Sequence, residues 1–331
     1  MSSIPRRILG NTNFPVSEIG FGAWAIGGAW GDEVPEDQAR EAIHAGLDAG
    51  MNFIDTADIY GEDGRSERIV GSVLKERKEE VVVATKMGRG EGWTDDEDSI
   101  ARAAEGSIKR LGVDALDLVQ LHCIPFDQIK AGKVFENLEK VKDRGLIKHY
   151  GASIETIEEG LFCIRETPCV TLQIIFNLFR QRIVTDLLPA AKANNVGIIV
   201  RVPLASGVLS GKFTNDHQFG AEDHRGFNAN GEFFNVGETF AGVPFDRAVA
   251  FASKIDRILI EEAPDATLAQ KSLRWILDHP TVTTVIPGAK TADQARENAA
   301  ASGLKTLTKD SHDELHELYE FEIDDAVRGA Y

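Results

Sequence analysis

Four side chains in the 331-residue chain have the types needed to move a proton onto a carbonyl oxygen: Asp55, Tyr60, Lys86 and His122. A free phenol titrates near pH ~10 and is a poor acid at neutral pH. A cation beside it favours the phenolate and lowers that pKa, and a carboxylate behind the cation holds it in position. Lys86 supplies the cation, Asp55 the carboxylate and Tyr60 the phenol. His122 can hydrogen-bond a carbonyl oxygen and orient it, and a carbonyl so polarised is ready to accept hydride. No side chain donates hydride, so the same chemistry requires a nicotinamide. Singly, each residue has an ordinary explanation. Asp55 reads as a turn or cap, Tyr60 as half-buried packing, Lys86 as a solvated strand end and His122 as a satisfied core histidine. Their order on three successive strand ends is what favours chemistry.

The elements that must position them are legible as eight apolar, β-rich runs: "SEIGFGA", "MNFIDT", "VVVATK", "LDLVQLH", "IKHYGAS", "VTLQIIF", "VGIIVRV" and "TTVIPG". Between them lie stretches of helical periodicity such as "EDQAREAIHAGLDAG", "SIARAAEGSIKRLG" and "VFENLEKVKDRG", several of them closed by Gly or Asn. Eight alternations of strand and helix predict a parallel sheet closed on itself, the α/β (β/α)8 TIM barrel. The segment "RRILGNTNFPVS" ahead of the first barrel strand is expected to be a hairpin capping the barrel bottom. The stretch 212–245, after strand seven, is too long for an ordinary connection and rich in Gly, Asn and Phe, which suggests a lid. No polar linker or composition shift divides residues 1–331, so one barrel domain is expected. Barrels carry function at the C-terminal ends of their strands. Asp55, Lys86 and His122 end the second, third and fourth runs. Ser153 follows the fifth, Arg201 ends the seventh and Lys290 follows the eighth, so polar residues converge on one rim.

Composition narrows the partners. A formal charge of −17 argues against a nucleic-acid backbone or an anionic membrane, and any phosphate ligand needs a local basic or amide-rich pocket. No apolar run reaches membrane-spanning length, and "MSSIPRRILG" lacks a signal-peptide core. Three cysteines, Cys123, Cys163 and Cys169, suit reduced thiols and a cytoplasmic setting. No zinc- or iron-type ligand spacing is present, so no metal is expected. Cys123, beside His122, reads as a small packed residue and Met87 as core. "TDDEDSIAR" reads as the acidic first turn of a helix. Trp24, Trp30 and Trp93 are candidates for the mouth of the site or for packing, and His217 and His224 carry no assignment.

The segments "GMNFIDTADIYG", "VVVATK" and "LDLVQLH" resemble the Asp–Tyr–Lys–His tetrad segments of the aldo-keto reductase family. The likeness spans nearly the whole chain, and its style is that of the bacterial branch related to potassium-channel β subunits. The resemblance implies Tyr60 as acid/base, Asp55 and Lys86 as its tuning pair, and His122 as the carbonyl-positioning group. It also implies NADPH as cofactor and a small carbonyl compound as substrate; of the oligomeric states, a monomer is favoured over an oligomer. "GASIETIEEG" resembles the family's G-x-S-N segment: Ser153 is retained to hold the carboxamide, while Ile154 stands where Asn is usual. Gln173 matches the glutamine that reaches the same carboxamide.

"RVPLASGVLSGKF" resembles the loop that wraps the pyrophosphate and carries over Leu204, Ser206, Gly207, Leu209, Gly211 and Lys212. Arg201 replaces the aromatic that stacks on the nicotinamide. A guanidinium there should disfavour the oxidised, cationic ring and so favour the reduced cofactor. "IPGAKTADQARENAAA" resembles the segment that reads the adenosine end, with Gly288, Lys290, Thr291, Gln294, Glu297 and Asn298. Lys290 and Thr291, beside a helix N-terminus, suit a 2′-phosphate. By the same pattern Gly22, Ala23 and Trp24 lie near the nicotinamide ribose and the substrate. A cofactor-loaded binding module with slow turnover is the rival reading; a metal-dependent barrel hydrolase is a more distant one.

Overall fold

The computed structural model describes residues 4–28 and 33–331, so Trp30 lies outside the described residues. Eight parallel strands follow one another in chain order: β1 (Phe21–Gly22), β2 (Phe53–Asp55), β3 (Val82–Met87), β4 (Leu116–His122), β5 (Ile147–Ser153), β6 (Thr171–Ile175), β7 (Gly197–Arg201) and β8 (Val282–Val285). Parallel bridges Ile19–Val285 and Gly22–Gly288 join the last strand to the first and close the ring. All eight apolar runs are strands, and β1 is shorter than its run.

Pleating decides what faces the barrel axis. Phe53 on β2, Val82 and Ala84 on β3, Leu118 on β4 and Ile199 on β7 pack together inside the barrel. Their neighbours Ile54, Val83, Val119, Ile198 and Val200 pack outward with the helices. With a side-chain period of two, inward parity continues up each strand to Asp55, Lys86, His122 and Arg201. The register sets them side by side: Asp55 is opposite Ala84, Lys86 opposite Gln120, and His122 opposite Ser153, which is itself opposite Gln173. At the other end the antiparallel hairpin Arg6–Ile8/Pro15–Ser17 brings Leu9 and Val16 against the interior cluster and closes the barrel bottom.

The helices form the outer layer, with ends set by local chemistry. Asp96 caps helix Glu97–Leu111 by accepting from the Ser99 amide, so the acidic run is its first turn. Thr156 and Glu159 form a capping box on helix Ile157–Glu166. Among the described residues no helix is long and apolar enough to cross a membrane. The stretch 212–245 is built of short turns and the single-turn helix His224–Phe227, around a ring cluster of Phe213, Phe219, Phe240 and Phe245. His217 packs on Phe213 and Phe219 within that cluster. The C-terminal tail ties this stretch down: Arg328 donates to the carbonyls of Gly242 and Ala229 and to the Asn230 side chain.

Interior packing leaves no room at one inward position. A Cβ on Gly151 of β5 would lie 2.1 Å from Thr171 Oγ1 and 2.4 Å from the Thr171 carbonyl oxygen of β6. Gly151→Ala is expected to cost about 2–3 kcal/mol by forcing these strands apart. Urea denaturation of the two proteins, side by side, checks it.

Candidate active site

Asp55, Lys86 and Tyr60 meet at the rim. The Lys86 ammonium, 1% exposed, donates to Asp55 Oδ1 at 2.5 Å, to the Thr56 carbonyl at 2.8 Å and to the Tyr60 hydroxyl at 3.0 Å. The other Asp55 oxygen accepts from Gln173 Nε2 at 2.7 Å and Gln120 Nε2 at 3.1 Å. The Tyr60 ring sits edge-on to His122, with centroids 5.8 Å apart, and Lys86 Nζ also lies 4.7 Å from the Tyr60 centroid. Tyr60 is carried by the segment after β2, which the Ser66 amide anchors by donating to the Tyr60 carbonyl.

Electrostatics divide the roles. Burial works hardest against the charge on Lys86, but Asp55 and Tyr60 outweigh it and hold the ammonium above its ordinary range. The expected lowering of the Tyr60 pKa is not what its surroundings produce. Burial pushes the phenol up further than Lys86 pulls it down, and Asp55 adds to the rise. The phenol therefore stays protonated at neutral pH. Burial, and then the positive charges of Lys86, Arg89 and Arg201, hold His122 well below its ordinary value, so it is a neutral imidazole.

Asp55, Tyr60 and His122 line a cleft of about 390 Å³. It brings together Gly22, Trp24, Asp55, Tyr60, His122, Ser153, Gln173 and Arg201 from β1 to β7. Leu204, Ser206, Gly207 and Lys212 join from the segment after β7, and Gly288, Lys290, Gln294, Glu297 and Asn298 from beyond β8. The remaining residues named from sequence do not line the cleft. Lys86 is under Tyr60, and Ala23 is fully buried with its amide on the Asp55 carbonyl. Leu209 is core, Gly211 turns the chain at φ +72°, and Thr291 caps helix Ala292–Ala300 through the Gln294 amide. Ile154 is turned into the helix layer, beside Gly160. Trp93 packs on the core and does not line the cleft.

Positive φ angles at Val202, Ala205, Ser206 and Gly207 bend the chain after β7 along the cleft. A β-branched residue at +52° is strained, as segments held for function commonly are. The cleft collects Lys212, Arg225 and Lys290 in a chain of charge −17, which is the local basic pocket an anionic ligand needs. With the glycine at φ +92° in position 207, this lining fits a dinucleotide phosphate.

Several lining residues escaped sequence reasoning. Cys123 lines the cleft at φ +51°, partly buried, with its Sγ packed 3.6 Å from Ser153 Oγ. Phe213, Arg225 and Glu238 reach the cleft from the 212–245 stretch, and Arg225 is paired with Asp223 at 2.6 Å. His224, unassigned from sequence, is fully buried with its ring 4.9 Å from Trp24. Ligand atoms of Cys123, Glu155 and Glu238 lie within 4.8 Å of one another, a grouping no linear spacing reveals. Arg89 and Arg201 share those carboxylates, which makes the spot a poor one for a cation.

The chain belongs to the aldo/keto reductase family, whose model matches residues 18–320. It is 30% identical over 328 residues to aldo-keto reductase YhdN of Bacillus subtilis, covering 96% of this chain and 95% of that protein. Among solved structures it resembles the glycerol dehydrogenase AKR11B4 of Gluconobacter oxydans, with TM-score 0.78, 28% identity and coverage of 100% and 99%. It also resembles an aldo-keto reductase of Klebsiella pneumoniae in complex with NADPH, with TM-score 0.72, 26% identity and 96% of each chain covered.

One further carboxyl sits between Asp55 and Tyr60. Burial, then the charge of Glu67, raises the Asp58 pKa from 3.8 to about 6, and its Oδ1 is buried without a hydrogen-bond partner. A carboxyl whose folded-state pKa is raised costs stability that grows as pH rises from the unfolded pKa and is complete above the folded one. The cost fades below the unfolded pKa, where both states are protonated. Asp58→Asn is therefore expected to stabilise the protein by about 3 kcal/mol at pH 8, from a rise of just over two pH units at ~1.4 kcal/mol each. The gain should shrink between pH 6 and 4, and chemical denaturation of both proteins at pH 4, 6 and 8 checks it.

Proposed function

We propose that this single-barrel protein is an NADPH-dependent reductase of small aldehydes or ketones, with Tyr60 as the proton donor. The observation that carries the reading is the buried contact of one ammonium with both the Asp55 carboxylate and the Tyr60 hydroxyl, at the wall of a cleft with cationic lining. A reduced nicotinamide, when bound, supplies the hydride. Neutral His122 donates to the carbonyl oxygen and aligns it toward Tyr60. As negative charge grows on that oxygen, the Tyr60 hydroxyl hands over its proton. An alkoxide is far more basic than a phenolate, so the raised pKa does not obstruct the transfer. Lys86 then faces the phenolate left behind, and Asp55, with Gln120 and Gln173 on its second oxygen, keeps Lys86 in place.

Ser153 and Gln173, opposite one another across β5 and β6, are suited to the carboxamide. The segment Leu204–Lys212, with Arg225, is suited to the pyrophosphate. Lys290, with Thr291 at the N-terminus of helix Ala292–Ala300, is suited to the 2′-phosphate. The NADPH-bound relative of similar fold supports the same cofactor.

A panel of aldehydes and ketones, nitrobenzaldehyde among them, assayed by NADPH oxidation tests the reading. Tyr60→Phe is expected to lower kcat by about 10²–10⁴-fold while NADPH still binds. A wild-type protein that binds NADPH but does not turn over would favour the binding-module alternative. Lys290→Met is expected to reduce the NADPH/NADH preference in kcat/KM by about tenfold, the loss of one charge-assisted hydrogen bond. An unchanged ratio would remove Lys290 from cofactor discrimination.

A further inference from the structure

Arg201, standing where the family resemblance expects an aromatic beside the nicotinamide, does not meet the cleft as a bare cation. Its Nη1 lies 3.5 Å from Glu238 Oε1, and its Nη2 donates to the Ile154 carbonyl at 3.1 Å. The same Glu238 oxygen is 3.4 Å from Arg89 Nη2, which in turn is 3.2 Å from Glu155 Oε1. The Arg201 and Glu238 side chains are 10% and 11% exposed, so little solvent screens them. Glu238 comes from the 212–245 stretch, and its backbone is fastened to the cleft as well. Its carbonyl accepts from Ser206 Oγ at 3.0 Å, and the same hydroxyl accepts from the Phe240 amide. Two guanidiniums from the rims of β3 and β7 are thus matched by two carboxylates, one of them contributed by the insertion.

We propose that Glu238 is the counter-charge that lets this cleft hold the oxidised cofactor beside Arg201, and so sets the ratio of affinities for NADP+ and NADPH. The inference rests on the functional reading above. The nicotinamide ring carries a positive charge only when oxidised, so a change of net charge in the Arg89–Arg201–Glu155–Glu238 group acts on NADP+ far more than on NADPH. Without Glu238 the group is net positive and repels the oxidised ring. Without Arg89 it is net negative and attracts it. Loss of a merely structural tie would weaken both forms alike.

Titration calorimetry of NADP+ and NADPH against wild type, Glu238→Gln and Arg89→Met separates these cases. Glu238→Gln is expected to raise the Kd(NADP+)/Kd(NADPH) ratio about tenfold, and Arg89→Met to lower it about threefold, because Glu155 is more exposed to solvent. The opposite signs are the signature. If Glu238→Gln does not fold, as its melting curve would show, the downward shift in Arg89→Met carries the test alone. Ratios that stay at the wild-type value, or that move in the same direction in both variants, would overturn the counter-charge. A wild type that binds neither form would instead sink the functional reading on which it rests.

Discussion

The site depends on one ammonium with nothing to spare. Lys86 uses its three donors on Asp55, Thr56 and Tyr60, and no water is needed to satisfy it. Asp55 is as fully engaged, with Lys86 on one oxygen and two glutamine amides on the other. Burying an ion pair is expensive, and such a pair is a poor source of stability compared with apolar packing of the same volume. What it provides is position. With all three of its protons committed and both Asp55 oxygens engaged, the ammonium cannot swing away from the phenol without exposing an unpaired charge to the barrel interior. The rest of the protein supplies the conditions for that arrangement.

The first condition is parity. On β2, β3 and β4 the residues that fill the barrel, Phe53, Ala84 and Leu118, are separated by even steps from Asp55, Lys86 and His122. A one-residue slip in any strand would send its polar terminus out among the helices and bring an aliphatic side chain inward. The apolar interior therefore does more than stabilise the fold, because it holds the register that makes three strands deliver their polar ends to one point. The helices and the hairpin plug keep water from the lower end.

What was legible from residues alone follows from the same physics. Period-two apolar runs ending in Asp, Lys and His mark strands, strand ends and a shared rim, and all eight runs form the barrel. The glycines and lysine after β7 carry their backbone requirement in their identity. Contacts between irregular segments were not legible. Glu238, Arg89 and Arg225 come from stretches with no periodicity, and nothing in the string "NVGETF" points at the end of β7. Cys123 reads as a packed small residue and is packed on Ser153, but its place in the cleft wall depends on a left-handed backbone that sequence does not announce. The direction of the Tyr60 pKa is not legible for a related reason. The neighbouring cation is visible in the order of strands, but the depth of burial that outweighs it emerges only when the segment carrying Tyr60 is folded against the barrel.

The tether from Arg328 has a different kind of consequence. The stretch 212–245 is built of short turns, yet it contributes Phe213, Arg225 and Glu238 to the cleft wall. Part of its shape is held by a residue more than eighty positions further along, which grips the carbonyls of Gly242 and Ala229. The two segments are halves of one part. Grafting the stretch into another barrel without its matching tail would transplant a clasp without its catch, and sequence drift in either half should leave its mark on the other.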